Sequence, residues 1–300
     1  MSTLIKLPAV ITAILAAMFL PAFAQAQDKA RESSSGEFQP DENTLFLAHY
    51  NTMLDADYSQ GGAKHEQMDA GYLTGRGGGY FGEGLVGRVG TEALQESGAR
   101  IETSLFPTRA FDGLRYPSPG NLDLERGTFE CWVKPCFSAK RAEKMPAAWP
   151  IIYVLFAYTE TAGKSLTVCF NQYSSGDIIP HFAIAGGKKS PHVDISGGRI
   201  DWQPGAWHHI AVTWDNTPKP GQGALFLDGK KVAEKSFAPL EDGFLKQTGQ
   251  FPYFSIGSNL WRRSGNEFQF FKIDAVVDEV RISNIARYRE NFIPISSPNH

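Results

Sequence analysis

The carboxylates, histidines and tryptophans of this 300-residue chain are spaced so that few could act together. A retaining glycoside hydrolase needs two carboxyl groups about 5–5.5 Å apart across a cleft. On one strand, residues i and i+2 share a face, so alternating acids would serve. The nearest pair is Asp274 and Asp278 in KIDAVVDEV, four apart with Val276 between them, and Glu279 points the other way. Asp278 therefore reads as a structural residue of a closing strand. A polysaccharide lyase needs a Tyr or His base beside groups that neutralise a uronate. His208 and His209 are adjacent, so on a strand they face opposite sides and cannot share a ligand. His208 falls on the Ile210/Val212 face at the edge of a core, while His209 could face a groove. Arg262 and Arg263 could attract an acidic glycan or simply stand in a solvated loop. No residue is assigned as catalytic.

Binding chemistry is better supplied. Sugar recognition sets a few polar groups around an aromatic platform in a concave site. Residues 128–134 (TFECWVK) alternate, so that Phe129, Cys131 and Val133 face one way and Glu130, Trp132 and Lys134 the other. Glu130 and Trp132, with His209, are the candidate ligand-binding residues. In the alternative reading Trp132 belongs to the core and the charges sit at a rim. The spacing of Cys and His suits no zinc site. The glycine-rich residues 71–90 lack the Lys-Ser/Thr and the following helix of a phosphate-cradling loop. Of three cysteines, Cys131 and Cys136 would lie ~16 Å apart on an extended segment, too far to bond. Cys169 could pair with either, or all three could be buried free thiols.

The elements that must position these groups are short strands. Residues 207–234 contain HHIAVTW, in which Ile210, Val212 and Trp214 alternate with His209, Ala211 and Thr213, the period of a half-buried strand. A Pro/Gly/Asn-rich break follows, then GALFL. Asp228-Gly229 supplies the two positive-φ residues of a type I′ hairpin turn before KKVAE. Similar runs at 44–50, 99–106, 151–158, 165–172, 181–185, 251–258 and 268–283 bring the total to about a dozen strands. Residues 151–158 (IIYVLFAY) are apolar on both faces and read as a central strand. Residues 110–114 read as a turn, 186–198 as a loop, and 285–292 as a short helix with a basic face. The hydrophobic fraction of 42% and the 20% of charged residues suit one globular core. A net charge of −3 without a basic stripe argues against a nucleic-acid partner.

Residues 1–26 read as a signal peptide: Lys6, an apolar stretch from Ala9 to Leu20 too short to span a bilayer, and the small-x-small site Ala24-Gln25-Ala26. The mature chain is thus expected outside the cytoplasm, in a periplasm or beyond it, with no membrane span. Residues 27–42 read as a flexible leader, 43–292 as one domain and 293–300 as a tail.

Three segments in order, GTFECWVKP, WHHIAVTWD…GALFLDGKKVAE and VVDEVRISNIAR, resemble the LamG-like jelly-roll domains of the concanavalin A-like lectin/glucanase superfamily. LDADYSQG is similar to a segment of exported bacterial members. The resemblance covers residues 43–292 and implies an all-β, two-sheet antiparallel jelly-roll sandwich. It is specific for the fold and unspecific for function, since the fold carries lectins, adhesion modules, glycosidases and lyases. The glucanase branch carries alternating acids, E-x-D-x-E, which this chain lacks. The family further implies a structural calcium ion where the N-terminal loop meets the closing strand. Asp55 or Asp57, with Asp278, would supply the oxygens; the alternative is that these acids cap turns. The implied function is an exported, non-catalytic module that binds a glycan or a cell-surface protein. The alternatives are a polysaccharide-active enzyme with a dispersed site and an envelope protein-interaction domain.

Overall fold

The computed structural model describes residues 36–67, 74–78, 83–87, 114–135, 151–159, 164–173, 175–186, 192–238, 240, 253–257 and 275–295. The signal segment, the strand expected at 99–106, Cys136, Arg262, Arg263 and Asp274 lie outside them. The strands are β1 (Thr44–Ala48), β2 (Tyr58–Ser59), β3 (Glu66–Gln67), β4 (Thr74–Gly78), β5 (Glu83–Gly87), β6 (Leu114–Pro117), β7 (Arg126–Pro135) and β8 (Ile151–Thr159), then β9 (Lys164–Gln172), β10 (Ile178–Gly186), β11 (His192–Ser196), β12 (His208–Asp215), β13 (Gly221–Leu227), β14 (Lys230–Phe237), β15 (Tyr253–Ile256) and β16 (Ala275–Ser283). No helix among the described residues is long and apolar enough to cross a membrane.

Two antiparallel sheets form the jelly-roll sandwich that the sequence implies. One has nine strands, ordered β14-β13-β12-β7-β16-β1-β2, with the β4–β5 hairpin joined to β16. The other has seven, ordered β11-β10-β9-β8-β15-β6-β3. The three recognised segments become neighbours: β7 lies between β12 and β16, and β12 leads to the β13–β14 hairpin. Asp228 and Gly229 take φ values of 48° and 74°, as the hairpin turn requires.

Alternation decides what is inside. Phe129, Cys131 and Val133 of β7 and Ile210, Val212 and Trp214 of β12 meet Tyr153, Phe156, Val168, Phe170 and Phe182 of the opposite sheet in one buried cluster. β8 is buried on both faces, as its uninterrupted apolar run predicts; Val154 and Ala157 form a separate cluster with Cys169 on the far side. A Cβ at Gly127 would lie 2.3 Å from Trp214 Cζ2, so the glycine of the GT pair is where the indole passes over the backbone. In β16 the pairing slips between Asp278 and Arg281, and Glu279 takes φ 54°, the mark of a bulge.

Three expectations fail. Residues 285–292 form no helix; they run as an irregular strap because their backbone groups bond to the sheet. Arg287 N–H donates to Thr128 Oγ1 (2.9 Å) and Phe292 N–H to Gly229 O (2.9 Å). Residues 186–198 are not all loop, since they contain β11, in which Val193 and Ile195 are buried and His192, Asp194 and Ser196 exposed. Residues 110–114 are not simply a turn: Leu114 opens β6 and is fully buried. The compact unit runs from Phe38 to Ile295. The end of the expected leader is thus part of it, with Phe38 only 1% exposed.

Candidate functional site

Glu130, Trp132 and His209 share one face, as alternation requires. Trp132 is paired with His209, and Ala211 with Glu130, across β7 and β12. Trp132 and His209 rings meet edge-on at 5.3 Å. That face, however, is not a surface. Glu130 and His209 are fully buried and Trp132 nearly so. Phe38 covers Trp132 together with Leu47, while Tyr288 and Phe292 of the strap (residues 284–295) cover Ala211, Ala224 and Phe226. An outer sheet face bearing Trp132 and Phe226 is too apolar to leave in water, and both ends of the folded unit lie over it.

The Glu130 carboxylate is satisfied internally, while His209 Nδ1 is buried with no hydrogen-bond partner among the described residues. Arg281 donates through Nε (2.9 Å) and Nη2 (2.8 Å) to Glu130 Oε1, and the Tyr288 hydroxyl donates to Oε2 (2.7 Å). His209 Nε2 lies 3.3 Å from the same Oε2. Burial pushes the Glu130 carboxyl up, but Arg281, His209 and Tyr288 together hold it down at about 2. Burial, and then the Glu130 charge, raises the Tyr288 phenol. Phe38 stacks its ring on the Arg281 guanidinium at 4.2 Å. The charge pattern that suggests a wet groove in sequence is here an internal ion pair. Lys134 alone of its row is half-buried, over the Trp207 ring at 4.9 Å.

The expected calcium ligands do not form one set. Asp55 Oδ1 accepts from His65 N–H (3.0 Å) and lies 2.6 Å from His65 Nδ1. The His65 backbone bond, then its ring, holds the Asp55 carboxyl below its ordinary value. Asp57 Oδ2 accepts from His49 N–H (2.7 Å). Asp278 is buried and accepts from Glu279 N–H (2.9 Å). Glu279 in turn holds His49 Nδ1 (2.7 Å) and the Phe38 N–H (2.7 Å). Among the described residues no three His, Cys, Asp or Glu side chains gather as metal ligands. Asp55, Asp57 and Asp278 therefore do not fit the six to eight oxygens of a calcium cage as a group. Asp55 and Asp57 fasten the chain between β1 and β3, and Asp278 the bulge of β16.

The remaining candidates separate. His208 stacks flat on Trp202, with rings 4.0 Å apart at 3°, and its Nδ1 lies 2.9 Å from Asp228 Oδ2. Cys131 faces the core and Cys169 the far side of the other sheet; both are free thiols, so they do not bond to each other. Burial raises both, Cys169 to about 12.

The outer face of β9, β10 and β11 is the polar surface the sandwich leaves partly open. On β9, Ser165, Thr167 and Asn171 are partly exposed, and on β10 Ala183 and Ala185 contribute only small side chains. At its centre is His181, paired across the ladder with Cys169 on one side and Ser196 on the other. His181 Nδ1 lies 2.9 Å from Ser196 Oγ and 3.1 Å from Asp194 Oδ1. Ser196 Oγ also donates to Asp194 Oδ1 (3.2 Å). The His181 bond, against a burial effect, keeps the Asp194 carboxyl below its ordinary range and so ionised at neutral pH. A second polar patch lies at the far end of the same sheet, where Arg115 donates to Glu66 and its guanidinium lies 4.6 Å above the Tyr253 ring. Sequence reasoning did not single out His181, Asp194 or Ser196. The available signal was the alternation H-x-A-x-A at 181–185, polar or small outward, and H-x-D-x-S at 192–196 beside it.

Two antiparallel sheets in this order, packed face to face around one buried cluster, define a jelly-roll sandwich. The family model for the concanavalin A-like lectin/glucanases superfamily matches residues 109–291, and the chain belongs to that superfamily. No curated relative matches it. Similar solved structures include the heptameric SAP-like pentraxin from Limulus polyphemus, at 14% identity and TM-score 0.39, covering 63% of this chain and 83% of that one. The Ruminococcus gnavus sialidase CBM40 domain bound to α2,3-sialyllactose matches at 15% identity and TM-score 0.39, covering 60% and 89%. Mouse laminin α1 domains LG4-5 match at 13% identity and TM-score 0.36, covering 61% and 41%.

Proposed function

We propose that this chain is an exported, non-catalytic module that binds carbohydrate on the outer face of β9–β11. The observation that carries the reading is the centre of that face. Asp194, ionised and about half-exposed, is fixed by His181 and Ser196 among small and hydroxyl-bearing neighbours. A face that sets polar groups beside the small Ala183 and Ala185, with Ile179 and His192 at its margins, offers hydrogen-bonding partners to a polyhydroxyl ligand. The buried state of Glu130, Asp278 and Glu279 supports a binding role over a hydrolytic one, because none of these acids meets solvent. Export is supported by the signal-like residues 1–26, and the partner is a glycan outside the cytoplasm, free or on a cell-surface protein.

The test is a glycan array probed with the purified mature chain, with added calcium and with chelator, and mass spectrometry of every bound glycan afterwards. Binding of unaltered glycans is the expected outcome. A shortened or unsaturated product would instead assign a polysaccharide-active enzyme, and no binding alongside capture of an envelope protein would assign an interaction domain. The calcium and chelator arms ask whether a metal is required at all. Fractionation with N-terminal sequencing of the mature protein is expected to find it outside the cytoplasm beginning at Gln27.

A further inference from the structure

We infer that the ligand of the β9–β11 face is an uncharged, hydroxyl-rich glycan taken by Asp194 Oδ2, with His181 as the residue that positions that carboxylate. The inference rests on the glycan-binding reading above and specifies its chemistry. Asp194 Oδ1 is occupied by both His181 Nδ1 and Ser196 Oγ. Among the described residues nothing bonds Oδ2, and the side chain is 45% exposed. An ionised carboxylate only accepts hydrogen bonds, so whatever binds there must bring donors. Vicinal sugar hydroxyls do so; a carboxylate, sulfate or phosphate does not, and adds like-charge repulsion.

The surroundings favour the same class. Lys235 spends one ammonium donor on the Asp194 carbonyl oxygen (3.3 Å). Arg115 and Glu66 on the far patch neutralise one another. The Cys169 thiol donates to Asn171 Oδ1 (3.7 Å), and the Asn171 amide nitrogen, which can only donate, has no bond among the described residues. The face thus offers one fixed acceptor at Asp194, one donor at Asn171, and the hydroxyls of Ser165 and Thr167, a set matched to hydroxyl groups. His181 acts through Asp194: without its Nδ1 the carboxylate loses one of the two bonds that set its rotamer.

The test uses the mature chain on paired arrays of neutral oligosaccharides and their sialylated, uronate-bearing or sulfated counterparts. Neutral members are expected to bind and the acidic counterparts to bind at least about tenfold more weakly. Asp194→Asn keeps the oxygen that His181 and Ser196 use but turns the free acceptor into a donor. It is expected to lower neutral-glycan affinity at least about tenfold with an unchanged melting temperature. His181→Ala is expected to weaken binding, and His181→Asn, which restores a donor near the Nδ1 position, to recover part of it. Acidic glycans bound as tightly as neutral ones, or an Asp194→Asn variant with unchanged affinity, would overturn the inference while leaving glycan binding in place. Failure of both glycan classes to bind would overturn the glycan-binding reading itself and the inference with it.

Discussion

Arg281 reaches Glu130 from the adjoining strand and sets two of its nitrogens on one carboxylate oxygen, at 2.9 and 2.8 Å, with both side chains withdrawn from water beneath Phe38 and the strap. The pair lies where sequence placed a binding groove, and it has the opposite consequence: removing either partner strands a charge in an apolar layer. Arg281→Met is therefore expected to cost about 3–5 kcal/mol of folding stability. The double variant Arg281→Met/Glu130→Leu, which removes both charges, should recover much of that loss. Denaturant unfolding of the two variants beside the parent checks both values. A double variant no more stable than the single one would contradict this account.

Acid should act through the same cluster. Glu130 titrates at about 2 in the folded state against 4.5 as an ordinary glutamate. A depressed carboxyl contributes stability that is fully present above its unfolded value and lost as pH falls through its folded one. The parent should thus lose stability between about pH 4.5 and 2, and Glu130→Gln, though less stable at pH 7, should show a flatter slope there. Asp41, held well below the carboxylate range chiefly by its bonds to Arg287 (2.7 and 2.6 Å), adds a loss of the same sign. Melting temperature against pH for parent and variant measures the difference.

The strap carries a stacked pair, Tyr288 and Phe292, with rings 3.6 Å apart at 7° and set against Phe226. Phe292→Ala removes one of the two rings that cover Phe226. A loss of roughly 2–4 kcal/mol is expected. Acrylamide should also reach the tryptophan fluorescence more readily in the variant than in the parent.

Gly127 should tolerate no side chain. A methyl group there would fall 2.3 Å from the Trp214 ring and 2.8 Å from the Ser283 carbonyl oxygen, both in tightly packed surroundings. Gly127→Ala is expected to destabilise by about 1–3 kcal/mol, whereas Gly198→Ala, with open space around it, should be near neutral. Thermal unfolding of the two variants side by side makes the comparison.

Cys131 and Cys169 are buried thiols raised by desolvation. In a Cys136→Ser background neither should react with an aromatic disulfide reagent at pH 8 in the native state, and both should react once the chain is unfolded. Prompt native labelling of Cys169 would show that its face opens more than the structure indicates.

The scaffold was legible from sequence because strand signals are local. Alternation at Phe129/Cys131/Val133 and at Ile210/Val212/Trp214 needs only the neighbouring residues, and the Asp228-Gly229 turn is a matter of two φ angles. Those signals gave an all-β sandwich or jelly roll, and the resemblance of three such segments, in order, to the LamG-like family implied the jelly roll. Alternation also put Glu130, Trp132 and His209 on one face. It says nothing of what lies over that face: the cover comes from Phe38, far ahead in the chain, and from Tyr288 and Phe292 far behind it. Asp55, Asp57 and Asp278 were likewise visible as acids, but their partners His65, His49 and the Glu279 backbone depend on how two loops and a bulge come to rest. The His181–Asp194–Ser196 centre needed a strand hidden in a short glycine-flanked segment to pair in one register with β10. Side-chain parity was thus determined by the chain itself, through the two-residue period of a strand, while coverage, ion pairing and the open polar face were decided by tertiary structure, because each depends on contacts between residues that the sequence holds far apart.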